Sequence, residues 1–231
     1  MKSLFTSFIF GGIIMIAVFT GCGKKPEKLS TPRPVTIIFF GDSVTYGYGV
    51  DTETESFFAR INKIMQTGLY GDVVVMNAGV SGDDTSEALR RVTIDVTAHN
   101  PDYVVIAFGL NDCQNTSMTP QVFRKNINNM LALAPMKTRI ILATSNTFLD
   151  TGQSIRKNMN DVLDIYMEEL RKISREEKLT LIDVNTAWKN QIRQDQRHME
   201  SLYNDPTHPS PAGHKLIYET YMDVLRRELV K

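Results

Sequence analysis

The sequence has little cysteine, no net charge and few long apolar runs, and each shortage excludes a class of protein. Its 231 residues include only two cysteines, Cys22 and Cys113, so disulfides cannot form the framework of the fold. The 26 basic residues balance 26 acidic residues, whereas a nucleic-acid-binding protein would carry a clustered basic excess. The uncharged run from Leu4 to Phe19 is shorter than the roughly 20 residues that a membrane-spanning helix needs. What remains is an ordinary globular composition, with enough length for one substantial core.

The N-terminus has the pattern of an export signal. A positive charge precedes the apolar run, and the small residues Thr20 and Gly21 stand before Cys22. This ending resembles the bacterial lipoprotein signal, although Phe19 stands where leucine is usual. The resemblance implies removal of residues 1–21 and attachment of lipid to Cys22, which would hold the protein at a bacterial cell envelope, facing the periplasm or the exterior. The alternative is a secreted protein in which Cys22 has no such role.

Residues 22–34 are the predicted tether between this signal and the folded domain. The segment contains three prolines, four cations and one anion, with almost no apolar side chains. This composition favours an extended, solvated chain. The remaining residues, 35–231, form the single predicted domain, whose 21 basic and 25 acidic residues make it mildly acidic.

From Val35 onward, short β-branched runs alternate with stretches of helical periodicity, which is the pattern of an α/β fold. Helices are predicted between the strands; one has a capping box formed by Asp84 and Glu87, and a long one turns Val162 and its helical neighbours toward the core. The last begins at Ser210. Five strands separated by helices predict a parallel sheet covered on both faces. The predicted strands are residues 35–40, 73–76, 103–108, 139–143 and 179–184.

Polar residues follow three of the predicted strands directly. The first strand runs into Gly41-Asp42-Ser43, the second into residues 77–82 and the third into residues 109–112. A fourth polar segment, residues 205–209, precedes the last helix. Ligands of parallel α/β sheets bind beyond the carboxyl ends of the strands. We therefore expect the four segments to form one site.

These four segments resemble the blocks of the SGNH (GDSL) hydrolase family, which carry Ser, Gly, Asn and His in that order. The match runs from Phe39 to about His214. Each block alone is a weak motif, but all four occur here in the family's order and in the expected strand context. The resemblance implies a flavodoxin-like three-layer α/β/α sandwich with a five-stranded parallel sheet, and an acyl-ester hydrolase that needs neither metal nor cofactor.

The resemblance also gives individual residues a role. Ser43 is the nucleophile, and His208 is the base that takes the proton from the weakly nucleophilic serine hydroxyl. Asp205, three residues before the histidine, orients His208 and stabilises the imidazolium. The oxyanion donors are the backbone N–H groups of Ser43 and Gly79 and the side-chain amide of Asn111.

Other residues compete for these roles. His214 is an alternative base, but it is predicted inside the last helix and has no carboxylate three residues before it. Asp183, at the end of the fifth predicted strand, is an alternative orienting acid. Asp205, His208 and His214 are conceivable metal ligands, but no fourth ligand is evident, and we expect no metal.

Several further residues have a structural interpretation. Asp42 is expected to accept hydrogen bonds in its turn, and Cys113 is expected to be a small buried residue rather than a nucleophile. Residues 46–49 lack the third glycine of a phosphate-binding loop and predict a turn beside the nucleophile. His99 and His198 have no supporting neighbours in sequence and are predicted to lie on the surface. The Gly-x-Ser-x-Gly elbow of α/β-hydrolases is absent from the sequence.

The sequence thus predicts a serine esterase that forms an acyl-enzyme on Ser43 and hydrolyses short acyl esters, such as acetyl esters of an envelope glycan or lipid. A lysophospholipase or thioesterase-like acylhydrolase is the alternative within the same chemistry. A surface lipoprotein that keeps the fold and only binds a ligand is the alternative from another class. The expected partners are the ester substrate and, through the anchor, a membrane, with no nucleic acid.

Overall fold

A five-stranded parallel β-sheet lies at the centre of the protein. The structure is a computed structural model and describes residues 33–150 and 158–230. The strands are β1 (Val35–Gly41), β2 (Val73–Gly79), β3 (Tyr103–Ala107), β4 (Arg139–Ala143) and β5 (Thr180–Ile182). Their order in the sheet is β2-β1-β3-β4-β5, and all neighbours are parallel. The predicted sheet is confirmed.

Helices cover the sheet in two layers. Helix α4 packs against α3 and α5, and α7 packs against α2 and α6. Predicted helix starts are confirmed at three caps, because the side chains of Asp84, Thr119 and Ser210 accept hydrogen bonds from first-turn N–H groups. The helices of the described residues are α1 (Ser43–Tyr46), α2 (Phe57–Met65), α3 (Thr85–Asp95), α4 (Pro120–Leu133), α5 (Met159–Glu176), α6 (Val184–Gln194) and α7 (Pro211–Leu229).

Two expectations about these elements are wrong. The fifth strand is shorter than predicted because Asp183 ends it by capping α6, where its side chain accepts the Thr186 N–H. The sequence reading did not anticipate α6. Val162 of α5 was expected in the core but is 36% exposed, whereas the adjacent Leu163 is fully buried. The other expected core residues of α5, Tyr166, Leu170 and Ile173, are buried as well, so only Val162, at the margin of this face, departs from the expectation.

The predicted signal, Cys22 and the tether up to residue 32 lie outside the described residues. Among the helices that the structure describes, none combines the length and the apolar character required to cross a bilayer.

The register of the sheet brings three of the polar segments to one edge. Gly41 at the end of β1 pairs with Gly79 of β2 and with Ala107 of β3. The β1 residues Ile37 to Phe40 are at most 1% exposed, so burial on both faces holds this strand in the core. Because parallel strands end at the same edge, the segments that follow β1, β2 and β3 emerge side by side.

Candidate active site

Ser43 begins α1 two residues after the end of β1. Asp42 caps this short helix, since its Oδ1 accepts the Val44 N–H at 2.9 Å, and this confirms the structural role expected for Asp42. The first N–H groups of a helix have no acceptor inside the helix. Strand β1 thus carries both the hydroxyl and a backbone donor of Ser43 to the edge of the sheet.

His208 and Asp205 lie in one loop before α7, and this loop meets Ser43. His208 Nε2 lies 3.0 Å from Ser43 Oγ, and His208 Nδ1 lies 2.7 Å from Asp205 Oδ2. The other carboxylate oxygen of Asp205 accepts the N–H groups of Thr207 and His208 at 2.7 and 2.8 Å. The serine therefore contacts a base, and the base contacts a carboxylate that is itself held by its own loop.

Asp205 is suited to remain ionised beside His208. Burial raises the pKa of this carboxyl, but hydrogen bonds from the Thr207 N–H and from the ring and N–H of His208 lower it by more. The resulting pKa lies below the usual value. The loop is braced from outside because Asn146 Nδ2 donates to the Thr207 carbonyl at 3.0 Å. A bridge between Tyr203 and Pro209 closes the loop across its base.

The two alternative residues are engaged elsewhere. His214 is fully buried in α7, its Nδ1 accepts the Phe57 N–H at 3.3 Å, and burial lowers its pKa to about 4. Burial raises the pKa of Asp183, but hydrogen bonds from Arg171 at 2.8 and 2.9 Å help to lower it to about 2. Neither residue contacts the serine hydroxyl, so the geometry favours His208 and Asp205.

The remaining histidines and the cysteine lie away from the serine. His198 is on the surface, as predicted, but the expectation that it has no supporting neighbour is wrong, because its Nδ1 lies 2.8 Å from Asp195 Oδ2. His99 is also exposed. Cys113 is buried, as predicted, and its thiol donates to the Leu110 carbonyl at 3.3 Å.

The assignment of Gly79 as an oxyanion donor needs correction. Its N–H already donates to Asn77 Oδ1 at 2.9 Å, and Asn77 Nδ2 donates to the Thr45 carbonyl at 2.9 Å. This amide therefore takes part in joining β2 to α1. Gly79 satisfies a packing requirement instead, because a Cβ at this position would lie 2.3 Å from the backbone nitrogen of Tyr46.

Gly82 and Asn111 retain donors beside this segment. Gly82 has a φ of 89°, is exposed, and its N–H has no acceptor within residues 33–150 and 158–230. Asn111 Nδ2 donates to the carbonyl of Asp83, the residue that follows Gly82, at 2.9 Å. The Asn111 amide keeps a second N–H. The sequence reading chose the first glycine of residues 77–82. Gly82 differs from Gly79 in its left-handed conformation, which its place in the turn before α3 could have suggested.

Carboxylates are concentrated around this edge of the sheet. Asp42 is 3% exposed, and burial raises its pKa to about 7, with the Val44 N–H acting against the shift and Asp112 adding to it. Burial likewise raises the pKa of Asp112 to about 6, although Thr85 donates to it from both its N–H and its hydroxyl. Negative charge that develops on a substrate here requires compensating donors.

Exposed aromatic and apolar side chains lie on the segments that follow β1 and β2. Gly47 ends α1 in the left-handed conformation, which confirms the predicted turn beside the nucleophile. The ring centroid of Tyr48 lies 4.5 Å from that of His208. Tyr46, Tyr48 and Val80 are 50%, 48% and 42% exposed, so these segments present a partly aromatic surface, while Ser43 itself is 6% exposed. The sequence reading missed the contact with His208, which joins two distant loops.

The sequence reading also missed Arg91. The side chain of this α3 residue is 16% exposed and donates to the carbonyls of Gly41 and Ala78, at the ends of β1 and β2. It belongs to none of the four blocks. Its position two turns into a helix capped by Asp84 was the only available signal.

One family pattern and several known proteins match this chain. The pattern of the GDSL-like lipase/acylhydrolase family matches residues 39–216. An acetylxylan esterase of Geobacillus stearothermophilus is 25% identical over 84% of this chain and 95% of that protein. YqeF, an uncharacterized lipoprotein of Bacillus subtilis, is 26% identical over 91% of this chain and 94% of that protein. The crystal structure of the lipase/acylhydrolase from Enterococcus faecalis shares the fold, with a TM-score of 0.70 at 24% identity over 84% of this chain and 96% of that one.

Proposed function

Because this chain belongs to the GDSL-like lipase/acylhydrolase family and is a carboxylic ester hydrolase, we propose that Ser43, His208 and Asp205 form its catalytic triad. One observation carries the proposal. The Ser43 Oγ to His208 Nε2 distance of 3.0 Å and the His208 Nδ1 to Asp205 Oδ2 distance of 2.7 Å are those of a nucleophile, a base and an orienting acid in direct contact.

The reaction proceeds in two stages. His208 Nε2 takes the proton of Ser43 as Oγ bonds to the ester carbonyl carbon, and Asp205 stabilises the imidazolium. The tetrahedral intermediate then expels the alcohol, which receives the proton from His208, and the acyl group remains on Ser43. A water molecule, deprotonated by His208, attacks the carbonyl carbon of the acyl-enzyme. The bond from this carbon to Ser43 Oγ then breaks, Oγ takes the proton back from His208, and the carboxylic acid is released.

The oxyanion of each tetrahedral intermediate is bound by the N–H groups of Ser43 and Gly82 and by the side-chain amide of Asn111. Support for Gly82 comes from its uncommitted N–H, and from its place next to Asp83, whose carbonyl holds the Asn111 amide. Loss of one such donor typically costs about 10²- to 10³-fold in kcat.

The substrate is a short acyl ester, such as an acetyl ester, carried by a carbohydrate. Support comes from the segment that follows Ser43, where Tyr46 and Tyr48 are about half exposed and Tyr48 contacts the His208 ring. Exposed tyrosine rings offer flat apolar surfaces to a sugar ring. The relative named an acetylxylan esterase agrees with this substrate class.

The enzyme works at the cell envelope, held by lipid on Cys22. Support comes from the signal-like N-terminus and from the relative named a lipoprotein. The described chain enters β1 at Val35, and Ser43 follows the other end of that strand. An anchor upstream would therefore attach the domain by the edge of the sheet remote from the serine. Labelling with radioactive palmitate in a bacterial host tests this, since Cys22→Ala should abolish incorporation; label retained by the variant would refute it.

The triad is tested by replacing the nucleophile. Ser43→Ala should abolish release of nitrophenol from p-nitrophenyl acetate, because no other hydroxyl contacts His208 Nε2 within the described residues. Ser117→Ala, at an exposed serine, is the matched control and should retain wild-type activity. A fluorophosphonate probe should label the wild type at Ser43. Undiminished hydrolysis by Ser43→Ala would refute the triad, and a wild type that neither hydrolyses nor labels would favour a binding protein.

Substrate class is tested by a panel of p-nitrophenyl esters of two to sixteen carbons together with O-acetylated xylan. The proposed substrate predicts that kcat/KM is highest for acetate and that acetate is released from the glycan. A kcat/KM that rises with chain length would indicate the long-chain acylhydrolase alternative instead.

A further inference from the structure

Arg91 connects the segments that carry the proposed oxyanion donors. Its Nη2 donates to the Gly41 carbonyl at 2.9 Å, and its Nη1 donates to the Ala78 carbonyl at 2.9 Å. Its Nε donates to the Asp83 carboxylate, in an ion pair whose side chains are 16% and 12% exposed. One guanidinium thus binds the ends of β1 and β2 and the loop that follows β2.

The loop held by Arg91 has few other supports. Val80 is 42% exposed, and Ser81 and Gly82 are exposed at its tip. Strand β2 is at the edge of the sheet, so β1 is its only strand neighbour. The Val80 N–H shares the Gly41 carbonyl with Arg91, at 3.0 Å. The ion pair with Asp83 is the charged bond that holds the far side of the loop.

The contacts continue from Arg91 to the reacting groups. The Gly41 carbonyl lies two residues before Ser43, and the Asp83 carbonyl accepts the Asn111 amide at 2.9 Å. The guanidinium carbon of Arg91 lies 4.4 Å above the buried Phe40 ring, which restricts its rotation. The planar fork of arginine is required, since only it can donate to several acceptors in different directions from a fixed position.

We propose that Arg91 is the positioning residue of the oxyanion hole: its guanidinium fixes the Ser43 and Gly82 N–H groups and, through Asp83, the Asn111 amide. The proposal rests on the proposed esterase function. Arg91 does not touch the substrate. It sets the geometry in which the donors meet the developing oxyanion, and its positive charge offsets the nearby carboxylates.

The test compares Arg91→Lys and Arg91→Ala with two controls. Lysine keeps the charge but lacks the fork, so both variants should lose about 10- to 100-fold in kcat on p-nitrophenyl acetate while KM changes less than threefold. Arg90→Ala, whose side chain is 69% exposed on the same helix, should match the wild type. Val92→Ala removes buried α3 packing and should lower the melting temperature without lowering kcat.

A double-mutant cycle separates positioning from a general loss of structure. In an Asn111→Ala background, Arg91→Lys should cost several-fold less in kcat than in the wild type, because one of the donors it positions is already gone. Affinity for a boronic acid transition-state analogue should fall in parallel with kcat.

Two outcomes would overturn the inference. A folded Arg91→Lys enzyme with kcat within twofold of the wild type would do so, as would equal losses in both backgrounds. In either case Ser43→Ala would remain inactive, and the esterase proposal would stand. A wild type that shows neither esterase activity nor fluorophosphonate labelling would refute both the esterase proposal and the positioning role of Arg91.

Discussion

Two Asp-x-x-His pairs in this chain make the same local contact in different surroundings. Asp195 and His198 make the same contact as Asp205 and His208, with ring nitrogen to carboxylate distances of 2.8 and 2.7 Å. Spacing alone therefore produces the pair. Only the second pair faces Ser43, and its histidine side chain is 19% exposed against 70% for His198. The base role proposed for His208 therefore depends on its contact with Ser43 and on its burial, neither of which the local motif contains.

This comparison supplies a matched experiment at the residue scale. Asp205→Asn should lower kcat on p-nitrophenyl acetate by on the order of 10²- to 10⁴-fold, because an amide neither holds the correct tautomer nor stabilises the imidazolium. Asp195→Asn makes the same chemical change at the exposed pair and should leave kcat unchanged. Steady-state kinetics of both variants checks the prediction, and an Asp205→Asn enzyme with full activity would contradict the triad.

At the scale of elements, the junction between β2 and α1 positions Ser43, the proposed nucleophile. Asn77 bonds to both the Gly79 N–H and the Thr45 carbonyl, and Gly79 leaves no space for a Cβ against the backbone of α1. The helix that presents Ser43 is only four residues long, too short to be stable by itself. Its orientation depends on this close packing against the end of a neighbouring strand.

Gly79→Ala should therefore impair both folding and activity. The added Cβ forces α1 to move, so we expect a loss of about 1–3 kcal/mol in the free energy of unfolding and of on the order of 10-fold or more in kcat. Gly71→Ala is the control: its φ of 84° makes alanine strained, but nothing lies near the added Cβ. Denaturant unfolding should show both variants destabilised, by about 1–2 kcal/mol for Gly71→Ala. A normal kcat for Gly79→Ala would contradict the positional role.

At the scale of the whole molecule, a buried histidine and a buried carboxyl make the free energy of unfolding depend on pH in opposite directions. The folded-state pKa of His214 is lowered to about 4, so its contribution to stability is lost as the pH falls below about 6.5. The pKa of Asp42 is raised to about 7, so stability associated with this carboxyl is gained as the pH falls from about 7 toward 3.8. Over the same interval the two effects oppose each other.

His214→Gln isolates one of these effects. Glutamine keeps a side-chain acceptor but does not titrate, so the difference in unfolding free energy between wild type and variant should shift by up to about 3 kcal/mol between pH 7 and pH 4, with the wild type losing relative stability in acid. Urea unfolding across that range measures the difference. A flat difference for His214→Gln would show that the buried ring is not held neutral.

Much of the architecture was predictable because local patterns determine it. β-branched runs and helical periodicity predicted the five strands and most helices, and the caps at Asp84, Thr119 and Ser210 marked where helices begin. The order of the four polar segments also pointed to the family, since that order is a property of the chain itself. Helix α6 was not predicted because its first residue, Val184, lies in the run that predicts the fifth strand.

The tertiary structure decided which of the candidate groups act together. Ser43 and His208 are 165 positions apart, and their contact depends on strand order and loop path. Local pattern could not show that the Gly79 N–H has an acceptor while the Gly82 N–H has none among the described residues, nor that Arg91 reaches the ends of β1 and β2. The sequence by itself determined the fold class and the residue types at the strand ends, because propensity and burial act over short segments. Donor availability and orientation were decided by packing between distant segments.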